Sequence, residues 1–255
     1  MRNIKFIIEY EGTNYAGWQI QENLPTIQGT IQEKLKIMTG GGIELTAASR
    51  TDAGVHALGQ AVNFRTESRI SPHSFQMGLN ALLPHDIVIK DAEEVPPDFD
   101  SRRNAKAKTY RYFILNRPYP SAIYKNFCWH VFQRLDIDAM KAAANLLVGK
   151  KDFTSFRAAE CDALHSLREI LSFSIETTPS IPPLLKGDEM GVIELEVRGT
   201  AFLRHMVRIM TGTLVAVGKG KIKLNDFQAV IDAQDRRLAG MTAPPQGLFL
   251  KEVEY

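Results

Sequence analysis

Residues 49–60 read SRTDAGVHALGQ, placing a guanidinium, Arg50, two positions ahead of a carboxylate, Asp52, on a segment that Gly54 allows to turn sharply. An aspartate on such a turn can be held with its carboxylate pointing out of the loop, ready to act as a nucleophile or to stabilise a developing cation. Asp-Ala-Gly is equally common turn chemistry, with Arg50 as a brace, and this segment alone does not choose between the two.

Other stretches bear on the choice. FDSRRNAKAKTYRY, residues 99–112, sets Arg102, Arg103, Lys106, Lys108 and Arg111 among Phe99, Tyr110 and Tyr112. Cations alternating with stacking surfaces suit a phosphate backbone carrying an unstacked base; a charged edge strand that guards against aggregation has the same composition. FLRHMVR, residues 202–208, reads as the start of a helix whose apolar stripe is Phe202, Met206, Ile209 and Met210, with Arg204 and Arg208 on another face. Arg204 on a half-buried helix calls for a carboxylate partner. PPQGLFL, residues 244–250, brings a rigid turn into the last strand, where Leu248 and Leu250 form an apolar floor. His56 and His205 are read as satisfying local hydrogen bonds rather than as acid–base groups.

The elements that carry these residues follow from periodicity. Ile4–Tyr10 reads as a strand, and Thr26 opens a helix with Ile27, Ile31, Leu35 and Met38 on one face until Gly40 stops it. Strands at Ile43–Ser49 and Leu58–Arg65 flank the Asp52 motif. Ser71 and Pro72 start a second helix carrying Phe75, Leu79 and Leu82, ended by Pro84 before a strand at Ile87–Ile89. The order is βαββαβ. A similar series follows: strands at Tyr110–Leu115 and Cys128–Val131, a helix from Asp136 to Val148, strands at Leu171–Glu176 and Val192–Val197, a helix over Phe202–Val217 and a last strand at Leu248–Val253. The expected fold class is α+β, with two similar halves of RRM or ferredoxin-like βαββαβ type, antiparallel or mixed sheets and flanking helices. The halves are residues 1–104, with the Asp52 loop, and 105–255, with Tyr110 and Arg204; the expected active-site cleft lies between them.

Bulk properties restrict the field. A chain of 255 residues, 44% hydrophobic, buries a sizeable core without disulfides or metals. Lys and Arg total 31 against 29 Asp and Glu, a net charge of +2, so any basic surface for nucleic acid must come from local clustering. Cys128 and Cys161 have no paired spacing, which argues against a disulfide framework or a zinc site and fits a reducing cytoplasm. Lys5 and Glu9 interrupt the N-terminus too early for a signal-peptide core, and no apolar run approaches membrane-spanning length.

The motifs EGTNYAGWQIQ with TIQGTIQEKL, RTDAGVHALGQ, FDSRRNAKAKTYRY, DFTSF, AFLRHMVRIMTGTLVAVGKG and APPQGLFL with the terminal VEY run nearly end to end. On them the chain resembles the TruA family of bacterial tRNA pseudouridine synthases. Ser49 stands where the family usually has glycine, and Ser101 where alanine is usual. The resemblance implies isomerisation of uridine to pseudouridine at positions 38, 39 and 40 of the tRNA anticodon stem-loop. It further implies a cytoplasmic homodimer with tRNA as partner, no membrane, no metal and no cofactor. Asp52 is then the catalytic nucleophile, and Arg204 the second catalytic group, keeping Asp52 ionised; a close guanidinium lowers a carboxylate pKa by roughly 1–3 units. Tyr110, Arg50 and Leu248 are the substrate-binding residues: Tyr110 stacks on the target uracil, and Arg50 fills the space the flipped base leaves.

Two other classes share parts of this pattern. A non-catalytic RNA-binding module of RRM-like topology would need the aromatics but no carboxylate. A nucleoside hydrolase or glycosidase would need a second acid or a metal to activate water, and the motifs supply no partner acid.

Overall fold

The computed structural model describes residues 1–178 and 191–255. In chain order the elements are β1 (Arg2–Tyr10), α1 (Ile27–Thr39), β2 (Thr46–Ala47), β3 (His56–Thr66), α2 (Pro72–Leu82), β4 (Ile87–Val95) and β5 (Ala107–Asn116). They continue as β6 (Trp129–Val131), α3 (Ile137–Asn145), β7 (Gly149–Asp152), β8 (Leu167–Thr178), β9 (Val192–Gly199), α4 (Met206–Gly218), α5 (Leu224–Asp232) and β10 (Leu248–Glu254). The backbone groups into two units, Met1–Lys108 with Phe249–Tyr255, and Thr109–Leu248.

The first unit has the expected βαββαβ order. Its strands lie β4-β1-β3-β2 with antiparallel neighbours, the ferredoxin-like arrangement, and β10 runs parallel to β3 where Phe249 faces His56. Side chains alternate along β1, so Ile4, Phe6 and Ile8 are all buried. Phe6 meets Phe64 at 5.0 Å and Phe75 at 6.2 Å, tying β1, β3 and α2 into one core. The expected caps hold. Thr26 accepts from Gly29 N–H, Gly40 ends α1 in the left-handed region at φ 73, and Ser71 accepts from Ser74 N–H with Pro72 following.

In the second unit the strand order is β5-β9-β8-β7, with β8 antiparallel to both neighbours and β6 parallel to β5. Asp136 caps α3 through Ala139 N–H. Nearly every side of α4 is buried. Thr211 and Thr213 tolerate this because their hydroxyls donate to the Val207 and Ile209 carbonyls at 2.9 and 2.7 Å. Gly212 lets another segment touch the helix: a Cβ there would lie 1.8 Å from the Met241 carbonyl oxygen.

Several expected boundaries change for local reasons. The strand expected at Ile43–Ser49 shrinks to Thr46–Ala47, because the Gln60 side-chain amide takes both backbone groups of Ser49, at 3.2 and 2.6 Å. The helix expected from Phe202 begins only at Met206, since His205 sits in the left-handed region at φ 61. Arg204 therefore lies in the preceding turn and does not share a helix face with Arg208. Leu82 is exposed and Leu83 buried, because α2 ends on an extended Leu83 ahead of Pro84. The short strand β7 and the helix α5 have no counterpart in the sequence reading.

Candidate active site

The Asp52 turn belongs to the first unit. Val55 N–H donates to the Asp52 carbonyl at 3.1 Å, and Gly54 has φ 75. The stretch between β1 and α1 cradles this turn. A Cβ on Gly12 would lie 2.0 Å from the Val55 carbonyl oxygen, and one on Gly17, itself at φ +99, would lie 2.8 Å from the Thr51 carbonyl oxygen. Trp18 N–H donates to the Thr51 carbonyl at 3.0 Å, and the Tyr10 hydroxyl and Thr51 Oγ1 share a 2.7 Å hydrogen bond. His56 Nδ1 accepts from Gly12 N–H at 3.1 Å while its ring stacks on Phe249 at 4.6 Å. His56 is thus a buried, hydrogen-bonded histidine, as the sequence suggested. Thr51 and Val55 are buried on either side, Asp52 is half-buried and Arg50 exposed, so the backbone is held while two charged side chains leave it.

A half-buried cation supports the strand end before this turn. Lys108 Nζ donates to the Ala48 carbonyl at 2.6 Å. Burial, and to a lesser extent the Arg102 charge, pushes its ammonium down to about 8 from the usual 10.5. Between those values the folded chain has lost the proton and the unfolded chain keeps it. Unfolding then takes up a proton, so stability rises with pH across that window. The thermal midpoint of wild type, relative to Lys108→Met, is therefore expected to climb from about pH 8 to about pH 10. A difference between the two proteins that stays flat across this range would remove the burial account.

The basic and aromatic stretch turns out to be divided. Arg102, Arg103 and Lys106 are exposed. Arg111 is turned to Glu196 and Glu194 at 2.7 and 2.9 Å, Tyr112 is fully buried with its hydroxyl donating to the Pro244 carbonyl at 2.7 Å, and Phe99 packs on Tyr255 at 4.9 Å. The even alternation read from sequence is therefore mostly packing, because a strand points successive side chains to opposite faces and one face here is core.

The second unit holds Tyr110, Arg204 and Leu248. Tyr110 is buried, with its ring edge-on to Phe202 at 5.1 Å. Phe202 stands two residues before Arg204, so the Phe202–His205 turn brings the Arg204 backbone to the tyrosine's neighbour. Leu203 and Met206 anchor that turn in the core, and the half-exposed Arg204 guanidinium reaches the Glu160 carbonyl at 3.0 Å and its carboxylate at 3.3 Å. Glu160 is 82% exposed, so the pair adds little stability. Leu248 is buried at the start of β10. The turn before it is fixed by reciprocal bonds: Arg208 Nε donates to the Ala243 carbonyl at 2.8 Å, and Ala243 N–H donates back to the Arg208 carbonyl at 3.0 Å.

The sequence reading passed over Gly12, Gly17 and Lys108 as site elements. The glycines stand in EGTNYAGWQ as positions without side chains, but nothing in the stretch states which backbone they admit. Among the described residues no group of three or more His, Cys, Asp or Glu could hold a metal, and no helix is long and apolar enough to cross a membrane.

A ferredoxin-like unit that displays one motif carboxylate from a glycine-cradled turn belongs to an α+β chain whose exposed cations Arg102, Arg103 and Lys106 suit an anionic substrate. The model of the tRNA pseudouridine synthase family matches residues 6–102 and 143–255, and the chain belongs to that family. The tRNA pseudouridine synthase A of Acetivibrio thermocellus is 46% identical over 255 residues, with both chains covered completely. That of Myxococcus xanthus is 46% identical over all of this chain and 92% of its own, and that of Geotalea uraniireducens 46% over the full length of both. Membership makes the chain an isomerase of the class that forms pseudouridine in tRNA.

Proposed function

We propose that the chain converts uridine to pseudouridine at positions 38, 39 and 40 of the tRNA anticodon stem-loop, with Asp52 as the nucleophile. The observation that carries this reading is the Asp52 turn: Gly12, Gly17, Trp18 and Tyr10 hold its backbone, while its carboxylate is left half-exposed. A group fixed before substrate arrives needs little reorganisation in the transition state.

The reaction balances without a cofactor. The bond from ribose C1′ to uracil N1 breaks, the base turns, C1′ bonds to C5, and the proton from C5 is lost as N1 gains one. No electrons are transferred. Asp52 attacks the nucleoside and leaves again. Arg204 is assigned a second catalytic role, its guanidinium supporting the Asp52 carboxylate. Arg50 occupies the place of the flipped base, Tyr110 stacks on the uracil, and Leu248 contributes to the apolar side of the base site. The enzyme acts in the cytoplasm as a homodimer.

The testing experiment incubates unmodified tRNA with the protein, maps pseudouridine by carbodiimide chemistry and assays free uracil in the same sample. Pseudouridine confined to the anticodon arm without free base supports the reading. Free uracil would assign a hydrolase, and tight binding with neither product an RNA-binding module. Tyr110→Phe keeps the ring and its packing on Phe202 but removes the hydroxyl. The Tyr110 hydroxyl is assigned to help remove the C5 proton, so the variant is expected to retain tRNA binding and to slow turnover about 100-fold; unchanged turnover would leave the tyrosine with stacking alone.

A further inference from the structure

The loop between the short turn at Thr154–Phe156 and β8 crowds cations that the proposed chemistry does not use. Arg157 Nη2 donates to the Cys161 carbonyl, and its Nη1 reaches Ser166 Oγ at 3.5 Å. The residues on either side of Ser166 hold the second arginine: Arg168 Nη1 donates to the His165 carbonyl at 3.1 Å and to the Leu167 carbonyl. Both guanidiniums therefore converge on one short segment, where their partners are backbone carbonyls, the Ser166 hydroxyl, the His165 ring and the Cys161 thiol, which the Arg157 side chain also meets. The Arg168 Nε is buried with no hydrogen-bond partner among the described residues. The Glu160 carboxylate nearby pairs with Arg204. Burial pushes Arg168 below the usual arginine value; the neighbouring Cys161 opposes this, and the Arg157 charge adds to the lowering.

Two like charges held together by carbonyls, with a donor left over, form a site short of an anion. A guanidinium offers planar forked donors that match a tetrahedral oxyanion, and two of them can grip it from different sides. We infer that the segment from Arg157 to Arg168 binds a backbone phosphate of the RNA, with the Arg157 and Arg168 guanidiniums as its two ligating groups. The inference rests on the tRNA-modifying reading of the chain and adds to it a place where the substrate's backbone is gripped.

The test measures the Kd of unmodified tRNA between about 50 and 200 mM salt for wild type, Arg168→Gln, the double variant Arg157→Gln/Arg168→Gln, and Lys141→Gln as an exposed control on α3. Each lost phosphate contact is expected to make the slope of log K against log salt shallower by about 0.7–0.9, with weaker binding at low salt, while Lys141→Gln leaves the slope as it was. An unchanged slope in the arginine variants overturns the inference. So does an equal loss in Lys141→Gln, which would make the effect one of general field. If the double variant does not fold, Arg168→Gln decides alone. Inorganic phosphate is tested in parallel by thermal shift; protection by phosphate with an unmoved RNA slope marks a small-anion site and overturns the RNA assignment. Because the slope reads binding only, a protein that shows it but forms no pseudouridine refutes the functional reading and not this one.

Discussion

Asp52→Asn is expected to lower the single-turnover rate of pseudouridine formation by about 10⁴-fold or more, the scale on which removing a nucleophile acts, while tRNA still binds within about threefold of the wild-type Kd. The amide has the shape of the carboxylate and can stay in the turn closed by Val55 N–H, so the backbone should not move. On the proposed reading, what is lost is the negative charge assigned to attack the nucleoside, since a neutral amide is neither an adequate nucleophile nor a counter-charge for a developing cation. The assay is loss of the label from uridine tritiated at C5, the atom that must give up its proton, run at saturating enzyme so that binding cannot limit the rate. Activity within tenfold of wild type would return Asp52 to the role of a turn residue and leave the carboxylate chemistry without a donor.

The first unit was the more legible in sequence, because its signals are local. The Thr26 and Ser71 caps, Pro72 and Gly40 mark helix ends through their own hydrogen-bonding and backbone preferences, and the alternation on β1 marks a half-buried strand. Asp52 and Gly54 announced a turn for the same reason. What holds that turn was not legible, since Gly12 and Gly17 act through empty space against residues some forty positions on, and nothing at either glycine states which backbone it admits. The start of α4 failed for a related reason. Apolar spacing over Phe202, Met206 and Ile209 fits a helix, and only the tertiary anchoring of Leu203 and Met206 makes His205 adopt a left-handed backbone instead. The charge of Arg111 likewise suggested RNA until two glutamates on β9, far along the chain, proved to occupy it.

The cradle yields the second large effect. Gly12→Ala places a methyl group 2.0 Å from the Val55 carbonyl oxygen, well inside contact, and both partners are backbone, so no side chain can swing aside. Either the stretch after β1 or the Asp52 turn must move, and the hydrogen bond from Gly12 N–H to His56 weakens with it. Overpacking of this kind costs about 1–3 kcal/mol, and in a chain of this size each kcal/mol lowers the thermal midpoint by about 2–4 °C. The effect on turnover should be larger in proportion, about 100-fold, because displacing a reacting group by about 1 Å costs that much even when the fold survives. Gly41→Ala is the matched control: a Cβ there meets nothing within 4 Å, and it should change neither midpoint nor rate. Calorimetry and the tritium assay on the two variants separate the alternatives. A Gly12→Ala protein that loses stability yet keeps its full rate would mean that chemistry does not depend on where this turn is held. Loss of rate beyond what unfolding explains would tie the reaction to the position of the Asp52 carboxylate, through a glycine that touches no substrate.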